Sequence, residues 1–204
     1  MMRVFAISLA AISVAACNGM VTSERPLFSA ADSRGAPALK NGVWAWTHEA
    51  GCQIDPKAEI TAWPKCADPF LVKDGRLTAL DAGRGERSAA LLLVTGDPPL
   101  IQVDDTVGAD SSGAAVYVGL RPRQIDAKGR AGAFSSWVVL CVPPDKGRAP
   151  PVDPKDVLPG FSLSARGDCG VDDPGKVREA ARSSEAWASQ DEPLAARWIR
   201  SGPP

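Results

Sequence analysis

The sequence predicts a mainly β domain, either an antiparallel β-barrel or a strongly curved sheet of about eight strands, with a helix near the C-terminus. Three observations predict it. Short β-rich segments recur along the chain, pairs of them flank strong turn signals, and a single long segment near the end has helical periodicity. A β-sandwich is the alternative arrangement.

The first strand is predicted at residues 42–48, GVWAWTH. Its residues alternate, so Trp44, Trp46 and His48 share one face. The segment that follows, CQIDPKAEITAWPKC, contains an Asp-Pro pair that is typical of a helix start. One short helix is therefore expected between the two cysteines that bound this segment.

Two hairpins and two further strands are predicted in the middle of the chain. Asp74-Gly75 lies between two β-rich runs and is typical of a type I′ turn, because both central residues need a positive φ. A second, longer hairpin is expected to turn at residues 126–129. Between the hairpins, SAALLLVT at 88–95 and LIQVDD at 100–105 predict one strand each.

The last third of the chain contains the predicted helix. Residues 143–160 carry six prolines and are expected to form a long surface loop, followed by a short strand at 161–164. A helix is predicted from Pro174 to about Ser189, with an apolar stripe that packs on the sheet. A final helical turn is expected over 193–198, because Leu194 and Trp198 are four positions apart.

The N-terminal segment has the composition of a secretory signal. Val4 to Ala16 is a run of 13 uncharged residues that follows Arg3. A membrane-spanning helix needs about 20 apolar residues, so this run is too short to cross a bilayer. A basic start, a short apolar stretch and small residues at its end are typical of a signal peptide.

Val14-Ala15-Ala16-Cys17 resembles the lipobox of bacterial lipoproteins. The resemblance implies that residues 1–16 are removed and that Cys17 becomes an N-terminus carrying palmitate-type acyl chains. More than one chain is needed for a stable anchor. Asn18, where an Asp would favour the inner membrane, implies the periplasmic face of the outer membrane. The implied partner is therefore the membrane of a bacterial cell envelope.

Residues 17–40 are predicted to be the lipidated N-terminus followed by a flexible tether, because from residue 18 on they mix Ser, Ala, Pro, Gly and charges without periodicity. Residues 41–204 are predicted to form a single β-rich domain.

Four cysteines remain if Cys17 is acylated, and an even number in an exported chain implies two disulfides. Three pairings are possible, and we predict the sequential one, Cys52–Cys66 and Cys141–Cys169. A four-thiolate zinc site is disfavoured, because no two of these cysteines have the Cys-x₂-Cys spacing.

Composition and motifs argue against several activities. A formal net charge of −1 argues against nucleic acid as a partner. His48 is the only histidine, so any Ser-His-Asp or Cys-His arrangement must use it as the base, and a His-rich metal site has no second imidazole. The chain also lacks the Gly-x-Ser-x-Gly motif of a nucleophile elbow. No metal, no other cofactor and no catalytic residue is predicted.

Two groups of charged residues are candidate sites. Clustered carboxylates could bind a hard cation such as calcium. They could also serve as an acid–base pair, which would make the protein an envelope hydrolase, the alternative function. An anion or a lipid headgroup is the corresponding candidate for a basic group near the second hairpin. The acids are Asp97, Asp104, Asp105 and Asp110, and the basic residues are Arg121, Arg123, Lys128 and Arg130.

Gly42-Val43-Trp44 resembles the Gly-x-Trp signature of lipocalins, in which the tryptophan closes one end of a barrel and an arginine near the C-terminus caps it. The resemblance implies that Arg197 or Arg200 is the cap, and that the barrel has an apolar cavity for a small lipophilic ligand. The sequence thus favours a non-catalytic binding or structural module, for such a ligand or for an envelope protein. The candidate cavity residues are Trp44, Trp46, Tyr117 and Trp137.

Overall fold

The protein folds into a closed antiparallel β-barrel of eight strands, with a short extension of the sheet on its outside. The computed structural model describes residues 19–47, 49, 51–80, 87–104, 115–147, 152–165, 167–188 and 194–202. The predicted barrel is therefore confirmed. The strands are β1 (Val21–Ser23), β2 (Ala38–Leu39), β3 (Gly42–Thr47), β4 (Ala67–Lys73), β5 (Arg76–Ala79), β6 (Arg87–Val94), β7 (Leu100–Asp104), β8 (Ala115–Ile125), β9 (Arg130–Val138), β10 (Ser162–Leu163), β11 (Cys169–Gly170) and β12 (Leu194–Arg200), and the helices are α1 (Pro144–Gly147) and α2 (Pro174–Ala188).

Each barrel strand is paired with two antiparallel neighbours, in the order β3, β4, β5, β6, β7, β8, β9, β12 and back to β3. Two pairings close the circle. Leu120 of β8 lies opposite Ser136 of β9, and Trp198 of β12 lies opposite Trp44 of β3. Closure removes the free strand edges that would otherwise promote association with other chains.

Both predicted hairpins are present. Asp74 has a φ of 49° and Gly75 a φ of 73°, the two positive values that a type I′ turn between β4 and β5 requires. The turn between β8 and β9 is held by Asp126, whose carboxylate accepts the backbone N–H groups of Lys128 and Arg130 at 2.9 and 3.0 Å. Local turn chemistry therefore determines the register of these strand pairs.

The prediction of a final helical turn was wrong, because this segment is strand β12. Ala196 lies between Trp46 and Phe134 in the register of the three neighbouring strands. A spacing of four positions fits one face of a helix, but it also fits the period of two that a strand requires. The extended form is favoured here because β12 satisfies its backbone hydrogen bonds on both sides and completes the barrel.

The short helix predicted between Cys52 and Cys66 is also not formed. In its place are a turn, in which the Asp55 carboxylate accepts the N–H of Lys57 at 2.8 Å, and a single 3₁₀ turn over Ile60–Ala62. Fifteen residues closed by a disulfide leave little room for a longer helix.

Helix α2 begins and ends close to its predicted limits and packs on the outside of the barrel. Its buried residues include Val177 and Ala181, and the Ala181 carbonyl accepts the indole N–H of Trp137 at 3.1 Å. Trp137 crosses over Gly119, where a Cβ would lie 2.3 Å from the indole ring. Gly119 therefore permits the close approach of Trp137 to β8.

No helix in the described part of the chain is long and apolar enough to cross a membrane.

Residues 19–40 belong to the folded domain, so the prediction of a flexible tether was wrong for this segment. Val21 is 0% exposed and Phe28 is 5% exposed. Strand β1 pairs with β8 on one side and with β11 on the other, while β2 pairs in parallel with β9. The segment lacks periodicity because it is held as irregular chain between very short strands.

The buried apolar side chains form three clusters. One fills the barrel interior around Trp44. The second, which we call the outer core, lies between the barrel wall, β1 and α2 and contains Cys141 and Cys169. The third lies on the outside of β3 and β4. The disulfides are Cys52–Cys66 and Cys141–Cys169, with Cα–Cα distances of 5.9 and 6.2 Å, so the predicted pairing is confirmed.

Candidate functional site

The structure does not bring the four candidate cavity residues together. Trp44 and Trp46 lie in the barrel interior, as predicted, but Tyr117 and Trp137 lie in or beside the outer core on the opposite face of the barrel wall. Tyr117 hydrogen-bonds Ser23 of β1, and burial raises the pKa of its phenol. The prediction for Tyr117 and Trp137 was wrong because β1 and α2 cover the outer face of β8 and β9 at these positions, so their burial does not place them in the interior.

One end of the barrel is closed by aromatic side chains and by the chain that leads into β3. Trp44 is 0% exposed, and its indole N–H donates to the Lys40 carbonyl at 2.8 Å. The indole N–H of Trp198 donates to the Asn41 carbonyl at 3.0 Å, and the Lys40 ammonium lies 5.4 Å from the centre of the Trp198 ring. We call this the closed end.

Neither Arg197 nor Arg200 caps Trp44, so that expectation was wrong. Ala196 and Trp198 face the interior cluster, which turns Arg197 to the outside of the barrel. Its guanidinium donates to the Cys52 carbonyl at 2.9 Å. The guanidinium of Arg200 donates to the backbone carbonyls of the same outer segment. Both arginines therefore hold the 52–58 segment on the barrel wall.

The opposite end of the barrel has an accessible interior, and strand β8 shows it most clearly. Its outward residues Ala115, Tyr117 and Gly119 are buried, whereas its inward residues Val116 and Val118 are only half-buried. A filled barrel would have its inward residues as the more buried set. The inverted pattern shows that solvent reaches the interior wall here, and we call this region the accessible end.

Further apolar side chains surround the accessible end. Val103 of β7 packs on the interior cluster and is half-buried, and Val138 of β9 lies opposite Val118 and is half-buried as well. Trp46 is the largest of these side chains. Its ring centre lies 5.1 Å from that of Phe70 in a stacked arrangement and 5.3 Å from that of Phe134 in an edge-to-face one.

Trp46 is therefore an aromatic floor between the accessible end and the filled part of the barrel. Aromatic pairs at this separation are favourable beyond their burial, which fixes the orientation of the ring. The remaining exposed surface of Trp46, together with the valines, offers apolar contact and no reactive group. This arrangement is suited to holding an apolar molecule.

The two predicted carboxylates that the structure describes, Asp97 and Asp104, do not lie close together. Asp97 and Asp104 lie at opposite ends of β7, which separates them by about 13 Å or more at about 3.3 Å per residue. Asp97 forms an ion pair with Arg121 at 2.6 Å. Asp105, Asp110 and His48 lie outside the described residues. Within the described residues no group of three or more His, Cys, Asp and Glu could hold a metal ion.

The predicted basic group is divided between two structural roles. Arg121 donates to both oxygens of Glu185 on α2, one at 2.8 Å, and these hydrogen bonds and those to Asp97 raise its pKa. Arg130 pairs with Asp126 at 2.9 Å within the hairpin turn, where the N–H of Arg130 lowers the pKa of that carboxyl. These two side chains are therefore occupied within the fold rather than free to bind an anion.

A surface groove of about 1220 Å³ lies outside the barrel, between residues 22–27 and residues 160–172. Leu27, Phe161 and Leu163 contribute apolar surface to it, and Arg25 and Asp168 contribute charge. Sequence analysis missed this groove because one of its walls lies in the predicted tether, and the other includes a short predicted strand whose position in the fold had no local signal. It also missed Val116 and Val118, although the alternation in AVYVGL places them on one face of β8.

Comparisons with models of known protein families, with curated proteins and with solved structures gave no match.

Proposed function

We propose that the protein is a lipid-anchored binding module of the bacterial envelope, which holds a small apolar molecule at the accessible end of its barrel. The observation that supports this most directly is the inverted burial on β8, where Val116 and Val118 are more exposed on the inside than Tyr117 is on the outside. Burial of such exposed apolar surface by a ligand is favourable at about 25 cal/mol per Å².

The closed end supports the same proposal. In the described part of the chain the barrel is filled at one end and accessible at the other, and the mouth of a barrel is a usual place for a small-molecule site. Trp46 is the floor of that site, and Val103, Val118 and Val138 form its wall. The acid–base alternative has no comparable support, because Asp97 and Asp104 lie too far apart to act on one bond.

The ligand site is tested by titrating the protein with N-phenyl-1-naphthylamine, an uncharged apolar fluorophore. We expect saturable binding that Trp46→Ala weakens by about tenfold or more, because the lost contact is worth more than about 1.4 kcal/mol. Trp187→Ala is the matched control, since Trp187 is a half-buried tryptophan on α2, outside the barrel. Equal affinities of the two variants, or no saturable binding at all, would contradict the site.

The anchor is tested separately, by metabolic labelling with a fatty acid. We expect wild-type protein to carry the label and Cys17→Ala to lack it and to remain as the unprocessed chain. Cys17 lies outside the described residues, so this prediction depends on the lipobox alone. Label that persists in the variant would refute acylation at Cys17, but it would not bear on the proposed ligand site. An outer-membrane location, as Asn18 implies, is checked by fractionation of the same cells.

A further inference from the structure

The first described residue of the domain, Gly19, is fixed to the folded body by three contacts. Its N–H donates to the Gly167 carbonyl at 2.6 Å, and its carbonyl accepts the N–H of Cys141 at 2.8 Å. It has a φ of 89° and lies so close to Val142 that a Cβ would be 2.4 Å from the valine methyl. This position thus requires glycine, and it does not move independently of the domain.

The residues that follow Gly19 are held equally firmly. Met20 is bridged to Leu140 and accepts the N–H of Cys169, and Val21 is fully buried in the outer core. The disulfide between Cys141 and Cys169 joins the two segments on either side of this strand. Residues 19–21 are therefore already part of the folded domain.

Only Asn18 separates Gly19 from Cys17. Two Cα–Cα steps of 3.8 Å span at most about 7 Å, whatever conformation they adopt. An acylated Cys17 must place its acyl chains in the bilayer, so Gly19 must lie close to the headgroups.

We propose that the anchor holds this domain directly against the bilayer, with the surface around Gly19 facing the lipid headgroups. This surface, which we call the anchor face, consists of the exposed or half-buried residues Pro143–Lys146, Ser164, Ala165 and Gly167. The proposal rests on the acylation of Cys17 proposed above. The domain then has a restricted orientation relative to the membrane, whereas a domain on a flexible tether would not.

The surface groove lies next to the anchor face. Ala165 and Asp168 line the groove and flank Gly167, which binds Gly19 directly. The groove therefore opens at the membrane interface rather than toward the bulk solvent.

The hairpin between β8 and β9 lies far from the anchor face. Val21 bonds Val139, and Val139 bonds Tyr117, at 2.9 and 3.2 Å. From Tyr117 strand β8 runs eight residues to Ile125, a length of about 25 Å at about 3.3 Å per residue. Lys128 at the hairpin tip is thus a distant reference position for a measurement of membrane proximity.

The test uses full-length acylated protein in vesicles of phosphatidylethanolamine and phosphatidylglycerol, in which some headgroups carry a nitroxide quencher. A fluorophore is attached to Ala165→Cys or Lys146→Cys on the anchor face, and to Lys128→Cys at the hairpin tip. We expect strong quenching at both anchor-face positions and little at the tip. Mass spectrometry of each variant shows whether it is acylated and whether its native disulfides are intact.

A variant with a 20-residue Gly/Ser spacer between Asn18 and Gly19 is the control. Such a spacer has a mean reach of about 25 Å, so we expect it to remove most of the quenching at positions 146 and 165. Equal quenching of acylated protein at all three positions would overturn the restricted orientation, and so would quenching that the spacer leaves unchanged. Either result would leave the acylation of Cys17 intact. Protein that is not acylated would overturn the anchor and this proposal together, and the mass spectrum distinguishes the two failures.

Discussion

Replacement of Gln102 with methionine is expected to destabilise the protein by about 2–6 kcal/mol, because the two buried backbone groups of Phe28 lose a hydrogen-bond partner and each such loss costs about 1–3 kcal/mol. The Gln102 carbonyl accepts the N–H groups of Leu27 and Phe28 at 3.0 and 2.9 Å, and its amide donates to the Phe28 carbonyl at 3.2 Å. Gln102 is 5% exposed, so water cannot readily replace these contacts.

Gln53→Met is the matched control, because Gln53 is exposed and the same substitution there removes no buried contact. Urea unfolding measures the free energy of both variants, and hydrogen exchange at Leu27 and Phe28 shows whether residues 24–37 detach before the barrel unfolds. We expect fast exchange at these two amides in Gln102→Met alone. A Gln102 variant that is as stable as the Gln53 variant would show that the segment is held by Phe28 packing instead.

The barrel strands were predictable because their signals are local. The β4–β5 turn depends on the positive φ values of Asp74 and Gly75, and the β8–β9 turn on hydrogen bonds to the Asp126 carboxylate. Both involve residues within a few positions of one another, so the sequence alone indicates these turns. Closure between β12 and β3 depends on partners about 150 residues apart, such as Trp44 and Trp198. A segment whose only signal is the spacing of two apolar residues cannot identify such a partner, which is why β12 was mistaken for a helical turn.

The candidate site was only half predictable for a similar reason. Alternation assigns Trp44 and Trp46 to one face of β3, and assigns Val118 and Tyr117 to opposite faces of β8. It does not say which face lines the interior, because β1 and α2 cover the outer face of β8, so that apolar residues occur on both of its faces. The role of Gln102 has no local signal at all, since its partners are 74 and 75 positions away.

Removal of the Cys141–Cys169 disulfide is expected to have the other large effect on stability. In the chain-entropy model a ring of this length contributes about 3.6 kcal/mol, and truncation to alanine adds the loss of buried sulfur packing. Both cysteines are 0% exposed in the outer core. Urea unfolding of Cys141→Ala/Cys169→Ala should therefore show a loss of about 4–5 kcal/mol relative to wild type.

The second disulfide is the internal control. Cys52–Cys66 closes a shorter ring, worth about 3 kcal/mol in the same model, and both of its cysteines are only half-buried. Cys52→Ala/Cys66→Ala should therefore cost less than Cys141→Ala/Cys169→Ala, and it should leave Gly19 in place. Loss of Cys141–Cys169 instead removes the covalent link between the two segments that hydrogen-bond Gly19 and Met20. Fluorescence quenching at the anchor face should therefore fall, even in a variant whose barrel stays folded. A larger loss of stability from the Cys52–Cys66 pair would show that the outer segment, and not the outer core, limits the stability of this protein.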